Sequence, residues 1–365
     1  MRTSLQSASN FKDSHNDGNL NRPTAFGAQE VVALDLVRCL AAFYVVLHHL
    51  AARLELPFPI NLLLRFGQEA VIIFFLLSGI VIFASERERA LHPKGYYLRR
   101  IRRIYPTLLF AMCISTLIAW DNGSLSSQFN LVSLFGTIFG LQDVPGLKPN
   151  VILAPYMNNL PLWSLSYEMF FYLIFPIVLR FWHASKTMTN HVVGAVCCLS
   201  YISYFVAPNH LSLLASYFLI WWGGAMAAHA YLQMEKNLRP IGPTLFWLAV
   251  LLCISMVPLL FENYSSPGVY PILMVRHFGI ALFILILLSF TPRQFKFTLS
   301  ARWNSVISFL ASISFGVYVL HYPVLVIWER TASNLNLVFA FGLMLVLAWV
   351  SEKWIYQFIP KAPVN

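Results

Sequence analysis

The chain has 365 residues, of which 58% are hydrophobic, 15% aromatic and only 11% charged, and its formal net charge is +10. Soluble domains carry about 25% charged residues, so a soluble enzyme is excluded and a polytopic membrane protein is indicated. The positive charge is spread over short loops rather than gathered into a nucleic-acid-binding face, and the length leaves no room for a large soluble domain beside about ten spans.

Residues 1–30 are polar and aperiodic and read as a disordered cytoplasmic tail. No cleavable signal peptide is visible, because the first apolar run begins near Val31 and carries charge. Apolar stretches of spanning length, about 20 residues each, fall at 31–52, 67–84, 104–120, 164–182, 191–207, 212–231, 243–260, 270–289, 305–328 and 334–350. The fold class is therefore all-α, with a membrane domain over 31–350 and a C-terminal cytoplasmic tail over 351–365. With both termini inside, Arg53, Arg65, Lys148 and Arg330 are the only basic loop residues outside. That asymmetry supports the N-in, C-in topology. The many Tyr, Trp and Phe are expected on lipid-facing and interfacial surfaces. All five cysteines fall in apolar stretches without metal-ligand or disulfide spacing and read as small core residues.

The first span, ALDLVRCLAAFYVVLHHL, holds Asp35, Arg38, His48 and His49. A charge at mid-membrane costs at least about 2.5–3.5 kcal/mol, so it must pair, face water or do chemistry. Arg38 and His49 are eleven residues apart, about 16 Å of helix rise, and lie on one face, with His48 off that line. The same pattern also fits a plain Asp35–Arg38 pair at i,i+3, a snorkelling arginine and two capping histidines.

The second span opens GQEAVIIFFLLSG, with Glu69 at its outer end and Ser78-Gly79 as a small-residue notch for close helix approach. Arg99, Arg100, Arg102 and Arg103 then cluster in YYLRRIRRIYP. Arg100 and Arg103 stand one turn apart and can grip phosphate bidentately, though anionic headgroups also attract such clusters. A piece at 131–141 reads as interfacial or re-entrant, and the loop 121–163 is long enough to form a lid. In PLWSLSYEMFFYLIFP, Ser164 reads as an N-cap and Glu168 as a buried acid–base candidate one turn into the helix. Arg276 and His277 form a further polar pair, placed in the inner half of the eighth span. His321 precedes Tyr322 and Pro323, and the proline should kink the ninth span.

Taken in order, these stretches resemble the integral-membrane acyltransferase family 3, the O-antigen acetylase type. The matching pieces are Arg-x10-His (Arg38 to His49), FFLLSG at 74–79, Arg-x-x-Arg before IYP, WSLSYE at 163–168 and S-x-x-x-Y-x-x-H-x-P from Ser314 to Pro323. The resemblance covers about 31–350 and implies transfer of an acyl group, usually acetyl, from cytosolic acyl-CoA to a hydroxyl of a carbohydrate or lipid-linked glycan. O-antigen lipopolysaccharide and exopolysaccharide are examples of such acceptors. By position it implies His49 as the catalytic histidine, Arg38 as its cavity partner, Arg100 and Arg103 as donor-site arginines, and Glu168 as the acidic residue of the WSL-x-x-E element. Trp163, Ser164, Glu69 and His321 are read as substrate-binding residues. Acetyl-CoA is expected as donor co-substrate, with no metal and no nucleic acid, in a bacterial inner membrane.

The chain departs from the family pattern at Ile72, where an acidic residue is usual, and at Glu352-Lys353-Trp354, which lacks the usual proline. No esterase-like domain follows the membrane unit up to Asn365, so that unit is expected to act alone or with a partner. A secondary transporter or glycan flippase is the competing class, since it too buries Arg, His and Glu along a path.

Overall fold

The structure, a computed structural model, describes residues 26–54, 56–233, 241–261, 266–290 and 299–360. The expected N-terminal tail lies outside the described residues as far as residue 25. Ten helices are long and apolar enough to cross a membrane: Ala28–Arg53, Phe58–Glu86, Pro93–Asp121, Leu160–Ala184, Lys186–Val206, His210–Leu232, Gly242–Leu260, Ile272–Phe290, Ala301–Ile327 and Asn334–Gln357. They coincide with the ten apolar runs, and the described residues form no strands. Short connections make consecutive spans antiparallel. One end of the bundle, here the basic end, gathers Glu30 with Tyr231 and Glu86 with Arg99. The far end gathers His49 with His321 and Asp121 with Arg330.

Two of the boundaries that differ from the hydropathy pattern carry charge into the bundle. The third helix starts at Pro93, where a missing N–H costs nothing, and runs unbroken to Asp121. The four arginines are therefore part of the span itself rather than of a loop. The tenth span continues through a π-helical stretch, Val350–Trp354, to Gln357. Residues 351–357 thus belong to the bundle, and the C-terminal tail begins later than the apolar run suggested.

The sixth span is central: 78% of its apolar stretch is buried, against 22% for the tenth. It meets the second span backbone to backbone. A Cβ on Gly79 would lie 2.0 Å from the Trp221 carbonyl oxygen, and one on Gly224 would lie 2.1 Å from that of Leu76. The Ser78-Gly79 notch is thus used for close approach, as its small residues predicted. Around this contact Phe75 and Phe171 pack edge to face with centroids 5.3 Å apart, as do Tyr167 with Tyr217 and Trp221 with Phe175. The largest fully buried side chains are Trp221, Trp222 and several tyrosines. Much of the aromatic content therefore fills the core rather than only the lipid-facing surface. Cys39, Cys197 and Cys198 are buried as expected, whereas Cys113 and Cys253 are exposed on helix flanks.

The segment between the third and fourth spans is held down rather than hanging as a free lid. Helix Leu131–Ile138 is capped by Asn130, whose side-chain oxygen accepts from the backbone of Val132 and Ser133. Lys148, with only 2% of its surface exposed, donates to Asp143 at 2.9 and 3.1 Å and to Tyr167 at 3.2 Å. Its ammonium lies 3.8 Å from the centre of the Trp163 ring. Burial draws the Lys148 pKa below the ordinary lysine value, while Asp143 opposes the shift. Tyr270 N–H and Tyr204 OH donate to the carbonyls of Leu147 and Pro149 at either side of this lysine.

A buried pair broken from one side leaves an uncompensated charge, at a cost of about 3–5 kcal/mol, whereas an apolar replacement of both partners is often neutral. Asp143→Ala should therefore lower the melting temperature of the detergent-purified protein sharply. Asp143→Ala/Lys148→Met should recover most of the loss. A double variant as unstable as the single one would show that the loop is anchored by something other than this pair.

Candidate functional site

The polar side chains inside the bundle form three layers, stacked from the basic end to the far end. At the basic end, Glu86 is 2% exposed and closes the second span. It accepts from Arg99 Nε at 2.9 Å and Nη2 at 2.6 Å, and from Arg100 Nη2 at 2.9 Å. Arg100 also packs over the rings of Tyr96 and Tyr172, each 5.6 Å from its guanidinium. Arg103, one turn further, donates to Glu352 from the tenth span and lies 5.5 Å over the Phe315 ring. The two predicted donor-site arginines thus stand side by side on one helix, each holding a carboxylate in a charge-assisted bond. Arg38 donates to Asp35 at 3.1 Å, the plain i,i+3 pair that the spacing allowed. The pair borders a cavity of about 30 Å³ with Leu34, Val81 and Ser85, room for about one water.

The middle layer surrounds Glu168. Its carboxylate accepts from the hydroxyls of Ser78, at 3.1 Å, and Tyr172. The indole of Trp221 donates to Ser78 Oγ at 3.1 Å. Tyr172 is one helical turn beyond Glu168, so its ring reaches toward Arg100 while its hydroxyl turns back to the carboxylate.

At the far end, His49 from the first span meets His321 from the ninth, Nδ1 to Nε2 at 3.1 Å. Tyr322 closes against the His49 ring with centroids 5.0 Å apart. The ninth span changes here from α-helix to a π-helical stretch, Tyr322–Ile327. Pro323 has no N–H, so the carbonyl four residues back, that of Val319, lacks its intrahelical donor. Asn159 supplies one at 2.9 Å. The expected kink is thus a change of helical register with a side chain repairing it. His48, off the Arg38–His49 line as its spacing required, turns away to the Leu64 carbonyl at 2.6 Å and packs on Gly67.

The structure gathers the predicted residues into separate layers rather than one cluster. Arg38 and His49 do not bond each other: eleven residues of helix correspond to about 16 Å of rise, and Arg38 donates to Asp35 instead. Glu168 contacts neither. Glu69, 8% exposed, pairs with Arg276. Arg276 and His277 sit near the start of the eighth span, at the far end, which corrects their inner-half placement. Ser164 is not an N-cap. The helix begins at Trp163 after Leu162, and Ser164 Oγ instead lies 2.8 Å from the Tyr318 hydroxyl. Trp163 is buried between Lys148 and a parallel His277 ring.

Tyr172, Tyr318, Glu86 and Glu352 were not singled out as site residues, and each had a signal. Tyr172 follows Glu168 at i+4, Tyr318 is the tyrosine of S-x-x-x-Y, and the two glutamates are acidic residues closing apolar spans. Apart from the Glu168–Tyr172 bond, their partners come from other helices, which spacing along one helix cannot reveal.

A family model described as "Acyltransferase domain" matches residues 31–352. Nodulation protein 10 of Rhizobium leguminosarum is 27% identical over 246 residues, 60% of this chain and 65% of that protein. Acyltransferase MdmB of Streptomyces mycarofaciens is 30% identical over 38% of this chain and 36% of its own length. Peptidoglycan O-acetyltransferase OatA of Listeria monocytogenes is 26% identical over 48% of this chain and 29% of its own length. The chain therefore spans less than two thirds of each of these relatives. No solved structure matches it. The match over nearly all of the membrane domain shows that the chain belongs to the acyltransferase-domain family, the membrane acyltransferase family its five motifs resemble.

Proposed function

We propose that the protein transfers an acyl group, acetyl in the simplest case, from acyl-CoA at the basic end to a hydroxyl at the far end of the bundle. The observation that carries this reading is the column of polar groups linking the two ends, with arginines at one and a histidine pair at the other. Family membership favours group transfer over the transporter reading, which the same buried charges would otherwise fit. The proposed acceptor is a carbohydrate or lipid-linked glycan, in keeping with the Listeria relative named as a peptidoglycan O-acetyltransferase. The excess of Lys and Arg at the basic end supports a cytoplasmic orientation for it, and the proposed location is a bacterial inner membrane.

In this reading Arg100 and Arg103 bind the donor phosphates by exchanging their carboxylate partners for phosphate oxygens. The pantetheine arm passes Arg38 and the Glu168–Tyr172–Ser78 layer, whose hydroxyls and carboxylate can bond its amides. The cavity beside Arg38, about 30 Å³, holds about one water, so an arm passing there requires the first and second spans to part. At the far end His49 acts on the acceptor hydroxyl as a general base, or takes the acyl group itself. Glu69, Arg276, Trp163 and Ser164 shape the acceptor side of that layer.

Saturable acetyl-CoA binding to the detergent-purified protein should be lost in Arg100→Ala/Arg103→Ala. It should persist in His49→Ala, which should lose acyl transfer by at least about 100-fold. A folded wild type that binds no acyl-CoA would return the transporter reading to first place.

The ion pairs make a second prediction. Because Glu352 competes with phosphate for Arg103, Glu352→Gln should tighten donor binding, by up to about tenfold, or about 1.4 kcal/mol. Titration calorimetry at low and high salt measures this directly. Weaker binding in the variant would mean that Glu352 aims Arg103 at the donor rather than occupying it.

A further inference from the structure

The contacts of the two far-end histidines fix where their protons are. His321 is fully buried, and its Nδ1 lies 2.7 Å from the Tyr318 carbonyl oxygen. A carbonyl only accepts, so His321 carries its proton on Nδ1 and presents a lone pair at Nε2. His49 Nδ1 lies 3.0 Å from the Val45 carbonyl oxygen, one turn back on its own helix, and 3.1 Å from that His321 lone pair. Both neighbours are acceptors, so His49 also carries its proton on Nδ1, shared between them. With His49 protonated on Nε2 instead, its Nδ1 lone pair would face two other lone pairs. Two neutral rings with one proton each satisfy every contact, and His49 Nε2 is left with an unshared pair. No other hydrogen bond to His49 occurs among the described residues.

We propose that His321 is a positioning residue: together with the Val45 carbonyl it holds His49 in the Nδ1–H tautomer, and so turns the His49 Nε2 lone pair to the reacting atoms. This rests on the acyl-transfer reading for its consequence, though not for the tautomer itself. In the general-base form, His49 Nε2 takes the proton of the acceptor hydroxyl as that oxygen bonds to the thioester carbonyl carbon. The carbon–sulfur bond then breaks, and the proton passes from His49 to the leaving thiolate. While His49 is an imidazolium, its Nδ1–H donates to a neutral His321 nitrogen, the place that a carboxylate fills in serine-protease triads. No buried carboxylate is needed, and none lies in contact with either ring among the described residues. The surroundings hold His321 firmly. Tyr318, whose carbonyl orients it, is itself tied by its hydroxyl to Ser164 and to the Pro161 carbonyl. Immediately beyond His321 the chain enters the π-helical stretch stabilised by Asn159. His321 is thus set by the scaffold and not by the substrate, which reassigns it from a substrate contact to a support for His49.

The test combines a spectroscopic and a kinetic readout on the full chain in lipid. Nitrogen-15 NMR of histidine-labelled protein, with the His49 signal identified by its loss in His49→Gln, should show a neutral Nδ1–H tautomer in the wild type. His321→Ala leaves the Val45 carbonyl as the one acceptor for His49 Nδ1–H, so it should gain a measurable fraction of the Nε2–H form and lose kcat for acetyl-CoA turnover by about 10- to 100-fold, with donor Kd unchanged. His321→Gln places an acceptor oxygen where Nε2 was, and should keep the tautomer and recover kcat to within a few-fold of wild type. An Nε2–H tautomer in the wild type overturns the proposal. So does a folded His321→Ala with wild-type kcat, or a His321→Gln as inactive as alanine with the tautomer unchanged. If the wild type turns over no acyl-CoA, the acyl-transfer reading fails, and the NMR result alone decides the role of His321.

Discussion

A charge within an apolar bundle must find its counter-charge inside the protein, and the placement of the arginines follows from that constraint. Asp35 sits one turn below Arg38, Glu86 receives two arginines, Glu352 receives a third, and Glu69 receives Arg276. Each of these pairs except Asp35–Arg38 joins different helices, so each also fixes which spans are neighbours. The Glu352–Arg103 pair ties the tenth span to the third, although the tenth has little buried surface of its own. Charge pairing and helix packing are therefore one problem in this fold. The close second–sixth contact at Gly79 and Gly224 brings Ser78 to Trp221, and through Ser78 that contact holds Glu168 at the middle of the bundle.

The two ends of the column differ in kind. The basic end is built from arginines, which stay charged at any accessible pH, and its partners are carboxylates that an anionic ligand can replace. Exchange of one anion for another leaves the buried charge balanced throughout, which suits a site that must bind and release a polyanion. The far end places neutral imidazoles against carbonyls, and no carboxylate contacts either ring among the described residues. There the useful property is a lone pair held in one direction. Such a pair is set by hydrogen-bond geometry rather than by net charge.

The sequence disclosed the fold almost completely, because hydropathy reports directly on which segments can enter a bilayer. All ten spans were legible, and so was the asymmetry of basic residues between the two ends. The shifted boundaries at Pro93 and at Gln357 are those where a helix carries charge beyond its apolar stretch and into a pair with another helix. The charges there are paired to other helices, so the helix stays in the bundle although the hydropathy falls. The site was legible as a set of residues and not as an arrangement. Periodicity placed Arg38 and His49 on one face, but a shared face is not a shared site when about 16 Å of helix separates them. The Asp143–Lys148 pair was not legible at all, since nothing distinguishes a buried loop lysine from an exposed one until Trp163 and Tyr167 are seen around it.

The separation of the layers also bears on how the column can work. A thioester carried on a long flexible arm can span a distance that a fixed pair of side chains cannot. Arg38 and His49 therefore need not touch to serve one reaction, provided that the arm passes the first and arrives at the second. The Glu168 layer lies between them, and its two hydroxyl donors, Tyr172 and a Ser78 that is itself held by the Trp221 indole, leave the carboxylate oriented before any ligand enters. Polar groups that are already hydrogen-bonded to one another need little rearrangement to bond a passing amide, whereas an apolar middle would leave those amides unsatisfied. A bundle that only moved a solute from one side to the other would need such a layer to open alternately to each face. A bundle that brings a donor arm from one end to an acceptor at the other needs it to stay in place. The cross-linking of Ser78, Glu168, Tyr172 and Trp221 across the second, fourth and sixth spans favours the second arrangement.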